Sequence, residues 1–486
     1  MRPADLQLTS ANARKPISTA AAALPLVTLV GCFVLGGLFL DASAELLVLA
    51  ILAAAGVAGL QAIRQGSSWE DIQRSTGEKL AAVLPVILIL LAIGMLIGTW
   101  VTSGTIPTLI AAGIRLLSPR FFVLSAFLVT AVMSLCTGTS WGSAGTLGVA
   151  LMGAASAIGA PLPATAGAVI SGAYLGDKMS PLSDSTNICA IGAAADLYAH
   201  IRNMLYTAVP STLIALTVYA IVGHRTSTAS GMPESATTLL VEMENVFSLS
   251  PWTLLPLGVV LVGIVLRVSP ALALAASSFV ATILGVWLQG FRVESAMASA
   301  VVGFKPSMVS ELGIDPASLS EFFVRLLDRG GLYSMSSTLV IILAAFLLAA
   351  GMDVSGALDQ LLQFLLARVR STFGLIAATM ASGTTMISLT SHGGVTALIV
   401  GGMFQKAYKE RRLAPVNLSR SLEDSVTIVE PLMPWTVSGI FMSTTLGVPT
   451  LALLPWAIFC YGGPIFSLLW AASFDRTGFG LKGLDQ

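Results

Sequence analysis

Charge is scarce in this sequence. Of 486 residues, 25 are basic and 25 acidic, so only 10% carry charge, against about 25% in a soluble domain. Hydrophobic residues make up 55% and the mean hydropathy is +0.86. The length alone would suit two or three soluble domains, but this composition excludes them. The net charge is zero, so there is no basic excess to hold a nucleic acid. Cysteine is sparse as well. Cys32, Cys136, Cys189 and Cys460 lie far apart in apolar runs, without metal-ligand spacing, and read as small buried hydrophobes. No cofactor is implied. Strict polar–apolar alternation is also missing, which excludes a membrane β-barrel.

What is present is a series of apolar runs, each near the ~20 residues that a helix needs to cross a bilayer. Residues 1–18 are polar and contain Arg2, Arg14 and Lys15. The run after them is too long for a secretory signal and reads as a retained first span. Spans are expected at 22–40, 44–60 and 80–100, with 61–78 as a polar linker. A short helix at 106–117 follows, then runs at 121–136 and 144–160, a break at 177–187 and a span at 206–223. The same order returns at 252–268, 270–289 and 332–352, with 291–331 as the linker. An amphipathic helix at 357–370, runs at 372–389 and 395–405, a break at 419–435 and a last span at 449–471 complete it. Ser103-Gly104 matches Ser355-Gly356, and Thr139-Ser140 matches Ser391-His392, both at a spacing of 252 (355 − 103 and 391 − 139).

The fold class is therefore an all-α polytopic membrane protein of two inverted repeats. Each repeat has five transmembrane helices, one of them broken, plus a re-entrant hairpin. The expected divisions are a tail at 1–21, a first repeat at 22–223, a linker at 224–251, a second repeat at 252–471 and a tail at 472–486. Five crossings are odd, so the second repeat starts on the opposite face. The positive-inside rule agrees. With the N-terminus inside, 17 of the 25 basic residues fall inside, 7 outside and Lys178 in neither set. The inside set includes Arg2, Arg14, Lys15, Arg267, Arg368, Arg420 and the cluster Lys406, Lys409, Arg411 and Arg412. Both termini are thus expected in the cytoplasm and the chain in a cell inner membrane. Internal repeats in such a chain are typical of secondary transporters.

The polar breaks carry the chemistry, because helix breaks at membrane depth survive only where protein or a water-filled cavity surrounds them. Thr137, Thr139 and Ser140, with Gly138 and Gly142, form a hairpin tip that offers hydroxyl and carbonyl oxygens. Asp177, Lys178, Ser180, Ser183, Asp184 and Asn187 surround Pro181, which interrupts the helix. A carboxylate at that depth is costly and marks function. Carboxylate, hydroxyl and amide oxygens together suit a hard cation such as Na⁺, by analogy with harder ions. Thr390 and Ser391 form the second tip, and Glu423, Asp424 and Ser425 the second break. Asp177, Asp184 and Asp424 are the candidate proton carriers, with Asp424 read as the counterpart of Asp177. Lys178 and Arg420 could instead hold an organic carboxylate. His392 reads as a structural residue of its tip. A Ser391–His392 hydrolase is disfavoured, since helical neighbours do not face each other, so no enzyme activity is expected.

Gly138-Thr139-Ser140-Trp141-Gly142 and the string from Ser171 to Asp184 resemble the signature of NhaC-type sodium/proton antiporters. Ser419-Arg420-Ser421-Leu422-Glu423-Asp424-Ser425 with Pro434-Trp435 is similar to that family's second signature. The resemblance covers about 80–470 and implies the ion-transporter architecture, often as a homodimer. It implies Na⁺/H⁺ antiport by alternating access, or sodium- or proton-coupled exchange of a small organic acid or amino acid. Glu430 departs from the pattern, standing where a small or apolar residue is expected.

The topology has a direct test. A cysteine introduced at Lys409 is expected to resist an impermeant thiol reagent applied to intact cells and to react once the membrane is opened. Labelling from outside would overturn the inverted arrangement.

Overall fold

The longest helix begins where a serine and an aspartate exchange hydrogen bonds. The Asp71 amide donates to Ser68 Oγ at 3.1 Å and the Ser68 amide to Asp71 Oδ2 at 2.9 Å, a reciprocal cap of the kind that starts helices. From it Trp69–Thr102 runs as one helix. The stretch 61–78 is therefore not a linker. It holds the end of helix Ala44–Arg64, a turn and the first turns of the next helix. Most of its polar residues, Gln61 excepted, face outward while Ile72 is buried against Ala62 and Ala350, which is why it looked like loop composition.

The computed structural model describes residues 17–39, 44–226, 234–266, 268–367 and 369–484. Arg2, Arg14, Lys15, Arg267, Arg368 and most of the N-terminal tail lie outside the described residues. Among those described, the chain is helical, with one isolated bridge between Leu413 and Gly483. Seven helices are long and apolar enough to cross a membrane, or up to nine if each of two bent pairs counts as one span. Ten spans were expected. The shortfall arises partly because the broken helices are cut into pieces such as Asp184–Gly192 and Pro415–Leu422, each too short to span alone.

Two compact units are distinguished, Met1–Ala82 with Ile341–Arg368, and Val83–Val340 with Val369–Gln486. In the first, Gln61 donates to the Ala21 carbonyl at 2.7 Å and Lys79 pairs with Asp353 at 2.9 Å. The second holds every polar break. There the stretch 291–331 is folded rather than extended, with helices Val293–Val302 and Glu321–Leu327. Its glycine end docks on the long helix, the Gly331 amide donating to the Gly94 carbonyl at 2.7 Å. The stretch 224–251 contains helix Glu234–Val246. Glu242 on that helix accepts from the Ser320 amide and hydroxyl, each at 2.7 Å.

The second half reuses the helix limits of the first. Gly138 and Ser391, Gly159 and Arg412, and Ala194 and Gly447 all have positive φ, and each pair is 253 residues apart (391 − 138, 412 − 159, 447 − 194). Helices begin at Ser140 and Gly393, at Leu162 and Pro415, at Asp184 and Val437, and at Leu197 and Thr450, with the same spacing. Gly104 and Gly356, both left-handed N-caps, keep the spacing of 252 read from sequence.

Small residues bring the first broken helix into place. Leu162–Met179 packs along Phe122–Thr137. A Cβ at Gly172 would collide with the Phe127 carbonyl and the Thr130 hydroxyl, and one at Gly176 with the Ala131 carbonyl. This is the close approach that small residues four apart permit between membrane helices, and Asp177 follows directly. Gly172→Val is expected to cost at least ~1–3 kcal/mol through overpacking. Gly402→Val, where nothing lies within 4 Å, serves as the control. Thermal midpoints in detergent compare the two, and equal midpoints would refute the packing account.

Candidate ion-binding site

The first break is built from hydroxyls that replace lost helix partners. Leu162–Met179 ends at Ser180, and Ser183 caps Asp184–Gly192 by accepting from the Thr186 amide. The Thr186 hydroxyl donates back to the carbonyls of Asp177 at 3.3 Å and Lys178 at 3.1 Å. Both lie in the last turn, where a helix end leaves carbonyls short of partners, and the Asp177 carbonyl also accepts from the Ser180 amide at 3.1 Å. Asn187 donates to the Pro181 and Ser183 carbonyls at 3.0 and 2.7 Å. Ser180 is buried and accepts from the Leu182 amide at 3.3 Å. Asn187 and Ser180 therefore hold the break together. Asp184 is exposed, so the structure does not bring it into the buried cluster.

The first tip meets this break. Gly138 takes a left-handed conformation and Thr139 caps the next turn, accepting from the Gly142 amide. The Thr137 and Ser143 hydroxyls lie 3.5 Å apart. Ser140 donates to Asp177 Oδ2 at 2.9 Å. Asp177 is only 7% exposed.

In the second half, Pro415–Leu422 continues into a wide turn over Glu423–Thr427 and then Glu430–Leu432. Thr436 caps Val437–Leu446. The Ser425 hydroxyl donates to the Ser421 carbonyl at 2.6 Å, and the Ser425 carbonyl accepts from Thr384. At the second tip Thr390 bonds Thr396 at 2.8 Å. Ser391 sits at φ 47, and its hydroxyl has no hydrogen-bond partner among the described residues. His392 Nδ1 accepts from the Val395 amide at 3.3 Å, a capping position.

Lys178 forms an ion pair with Asp424, and both side chains are fully buried. Thr207 donates to Asp424 Oδ1 at 3.3 Å and Ser467 to Oδ2 at 2.6 Å. Lys178 thus serves neither Asp177, its sequence neighbour, nor a clamp shared with Arg420. Arg420 is itself fully buried, not in a cytoplasmic loop. Its Nη1 donates to the Gly480 carbonyl at 2.7 Å, and its Nε and Nη2 have no hydrogen-bond partner among the described residues. Glu423 is fully buried beside Cys189.

The repeat register also changes the pairing of the two breaks. Glu430, 253 residues from Asp177 (430 − 177), is the counterpart of Asp177, whereas Asp424 corresponds to Ser171 (424 − 253). The cap pair Ser183 and Thr436 and the prolines Pro181 and Pro434 fall on the same spacing. Thr207 and Ser467 were not anticipated. His200, Asn203, Thr207 and Ser211 recur at helical spacing and are fully buried. That polar stripe on an apolar helix was the available signal.

Asp177, Glu423 and Glu430 are therefore buried carboxylates, and none forms an ion pair among the described residues. An isolated buried carboxylate is strongly disfavoured and neutralises instead. Each such group is stable when it holds a proton or a cation, and this chemistry suits a site that exchanges the two.

Comparison with known proteins follows the same line. The profile of the Na⁺/H⁺ antiporter family matches residues 8–185 and 172–473. An uncharacterized Na⁺/H⁺ antiporter of Haemophilus influenzae is 42% identical, over 98% of this chain and 100% of the relative. The Na⁺/H⁺ antiporter NhaC of Alkalihalophilus pseudofirmus is 34% identical, over 85% of this chain and 86% of its own length. A malate-2H⁺/Na⁺-lactate antiporter of Bacillus subtilis is 31% identical, over 82% and 83%.

The buried ion pair predicts a non-additive stability pattern. Lys178→Met or Asp424→Leu alone strands a charge and is expected to cost about 3–5 kcal/mol. The double variant is expected to lose much less than the sum. A double-mutant cycle on unfolding free energies measures the coupling, and additive losses would show that the pair does not form.

Proposed function

The chain belongs to the Na⁺/H⁺ antiporter family, and from that premise we propose that it exchanges Na⁺ for H⁺, with Asp177 as the carboxylate the two ions share. It is a multi-pass membrane protein. The supporting observation is the contrast between two buried aspartates. Asp424 is neutralised by Lys178, while Asp177 has the Ser140 hydroxyl and, among the described residues, no basic partner within ion-pair distance. An uncompensated carboxylate in a buried break binds one cation or one proton at a time, and that competition couples the two fluxes. Ser140 supplies a further oxygen for the cation, and the first-tip hydroxyls stand beside it. Asp424 with Lys178 serves as fixed charge that holds the breaks together, rather than as a carrier.

The wider reading is two inverted repeats whose tips and broken helices meet at mid-membrane, rocking to expose the site to each side in turn. Both termini are cytoplasmic, the membrane is the cell inner membrane, and the assembly is a homodimer in a lipid bilayer. One observation favours a second reading. The two unbonded donors of buried Arg420 match the fork that grips a carboxylate, and one relative bears the name of a malate and lactate exchanger. Under that reading an organic acid or amino acid travels with the cations.

Vesicles carrying an internal pH dye discriminate the readings. Sodium alone is expected to drive proton movement in the wild type. Asp177→Asn is expected to abolish it at matched protein level and thermal midpoint, and Ser140→Ala to weaken apparent sodium affinity several-fold. Exchange by Asp177→Asn at the wild-type rate would move the carrier elsewhere. Proton movement that appears only after adding a small organic acid would establish the second reading.

A further inference from the structure

We propose that Glu430 is a second cation-carrying carboxylate, so that each cycle moves one proton more than the Asp177 site alone would move. The inference rests on the Na⁺/H⁺ reading and concerns its stoichiometry. Three observations carry it. The first is register. Glu430 occupies in the second broken helix the place that Asp177 occupies in the first: each stands four residues before a proline, Pro434 or Pro181, and six before a capping hydroxyl, Thr436 or Ser183.

The second is environment. Glu430 is 8% exposed. Its Oε1 accepts from the Ser438 amide at 3.4 Å, and no lysine, arginine or histidine pairs with it among the described residues. A carboxylate so placed is stable with a bound proton or cation. It is the titrating group the family pattern was not expected to hold.

The third is that the two carboxylates share surroundings. Tyr174, one turn before Asp177, is buried. It lies within electrostatic reach of both Glu430 and Asp177 and beside Ser438. Trp141, next to Ser140, stacks on Phe441 of the helix that follows Glu430, with ring centroids 4.3 Å apart. The first tip therefore packs against the helix that follows the second break. In the balance of a cycle, sodium leaves Asp177 as a proton arrives there. Glu430 takes a proton on the same side and releases it on the other, carrying one further positive charge inward for each sodium exported.

A null-point measurement tests the charge balance. Proteoliposomes are held at zero membrane potential with potassium and valinomycin. The proton gradient that stops net flux is found for a fixed sodium gradient. The wild type is expected to balance at a proton ratio well below the sodium ratio. Glu430→Gln is expected to balance at equal ratios, and Glu430→Asp, which keeps the titrating group, at the wild-type value. A wild type that balances at equal ratios overturns the inference, and so does a Glu430→Gln null point that matches a non-unity wild type. If Glu430→Gln folds without exchanging, its sodium-linked proton uptake or release in detergent is measured. A count equal to wild type overturns the inference. If Glu430→Gln does not fold, a Glu430→Asp null point at equal ratios overturns it, and the wild-type value supports it. Absence of sodium-driven proton movement in the wild type would instead refute the underlying Na⁺/H⁺ reading.

Discussion

The arrangement depends on one buried ion pair. Lys178 ends the first broken helix and Asp424 lies in the wide turn of the second, and their contact joins residues 246 apart in sequence. Both charges are out of water, which costs several kcal/mol per ion unless geometry and further hydrogen bonds compensate. Thr207 and Ser467 provide those bonds. With Lys178 committed to Asp424, the neighbouring Asp177 keeps no basic partner. The same lysine paired with Asp177 would have held it as a carboxylate, and the exchange proposed for Asp177 needs it free of such a partner.

The breaks survive because polar side chains take over the backbone's duties. Thr186 and Asn187 serve carbonyls released at the first break. Ser183 and Thr436 cap the helices that resume. A lipid-facing break could not be satisfied this way, so the breaks are surrounded by packed helices. The glycines at 172 and 176 allow one of those helices to come close enough. Hydroxyls that would serve as cation ligands in isolation are in part already used as caps. Ser140 is different, since its donor points at Asp177.

Much of this was legible in the sequence. The apolar runs gave the long helices, glycine and threonine gave the first tip, and Pro181 with its polar neighbours gave the first break. The stretches 61–78 and 291–331 were misread as linkers, because polar, amphipathic helix turns and short helices docked through glycine have the composition of loops. The second break was located correctly but its register was not. Asp424 looked like the partner of Asp177 because both are aspartates in polar strings. Helix caps count residues along the chain instead, and they align Asp177 with Glu430.

By itself the sequence determined the class of protein and the positions of its breaks, because low charge, run length and proline act locally, whatever the rest of the chain does. It also exposed the repeat, through Ser103-Gly104 and Ser355-Gly356, although the helix caps set Thr139 opposite His392, one residue from the pairing read from sequence. Only the tertiary structure decided which charges neutralise each other. Asp184 is exposed while Asp177 is buried seven residues earlier, and Lys178 reaches across to the other half rather than to its neighbours. Charge pairing depends on distance in space and on burial, and neither is encoded by proximity along the chain. The difference between a spent carboxylate and an available one therefore appears only once the two halves are packed.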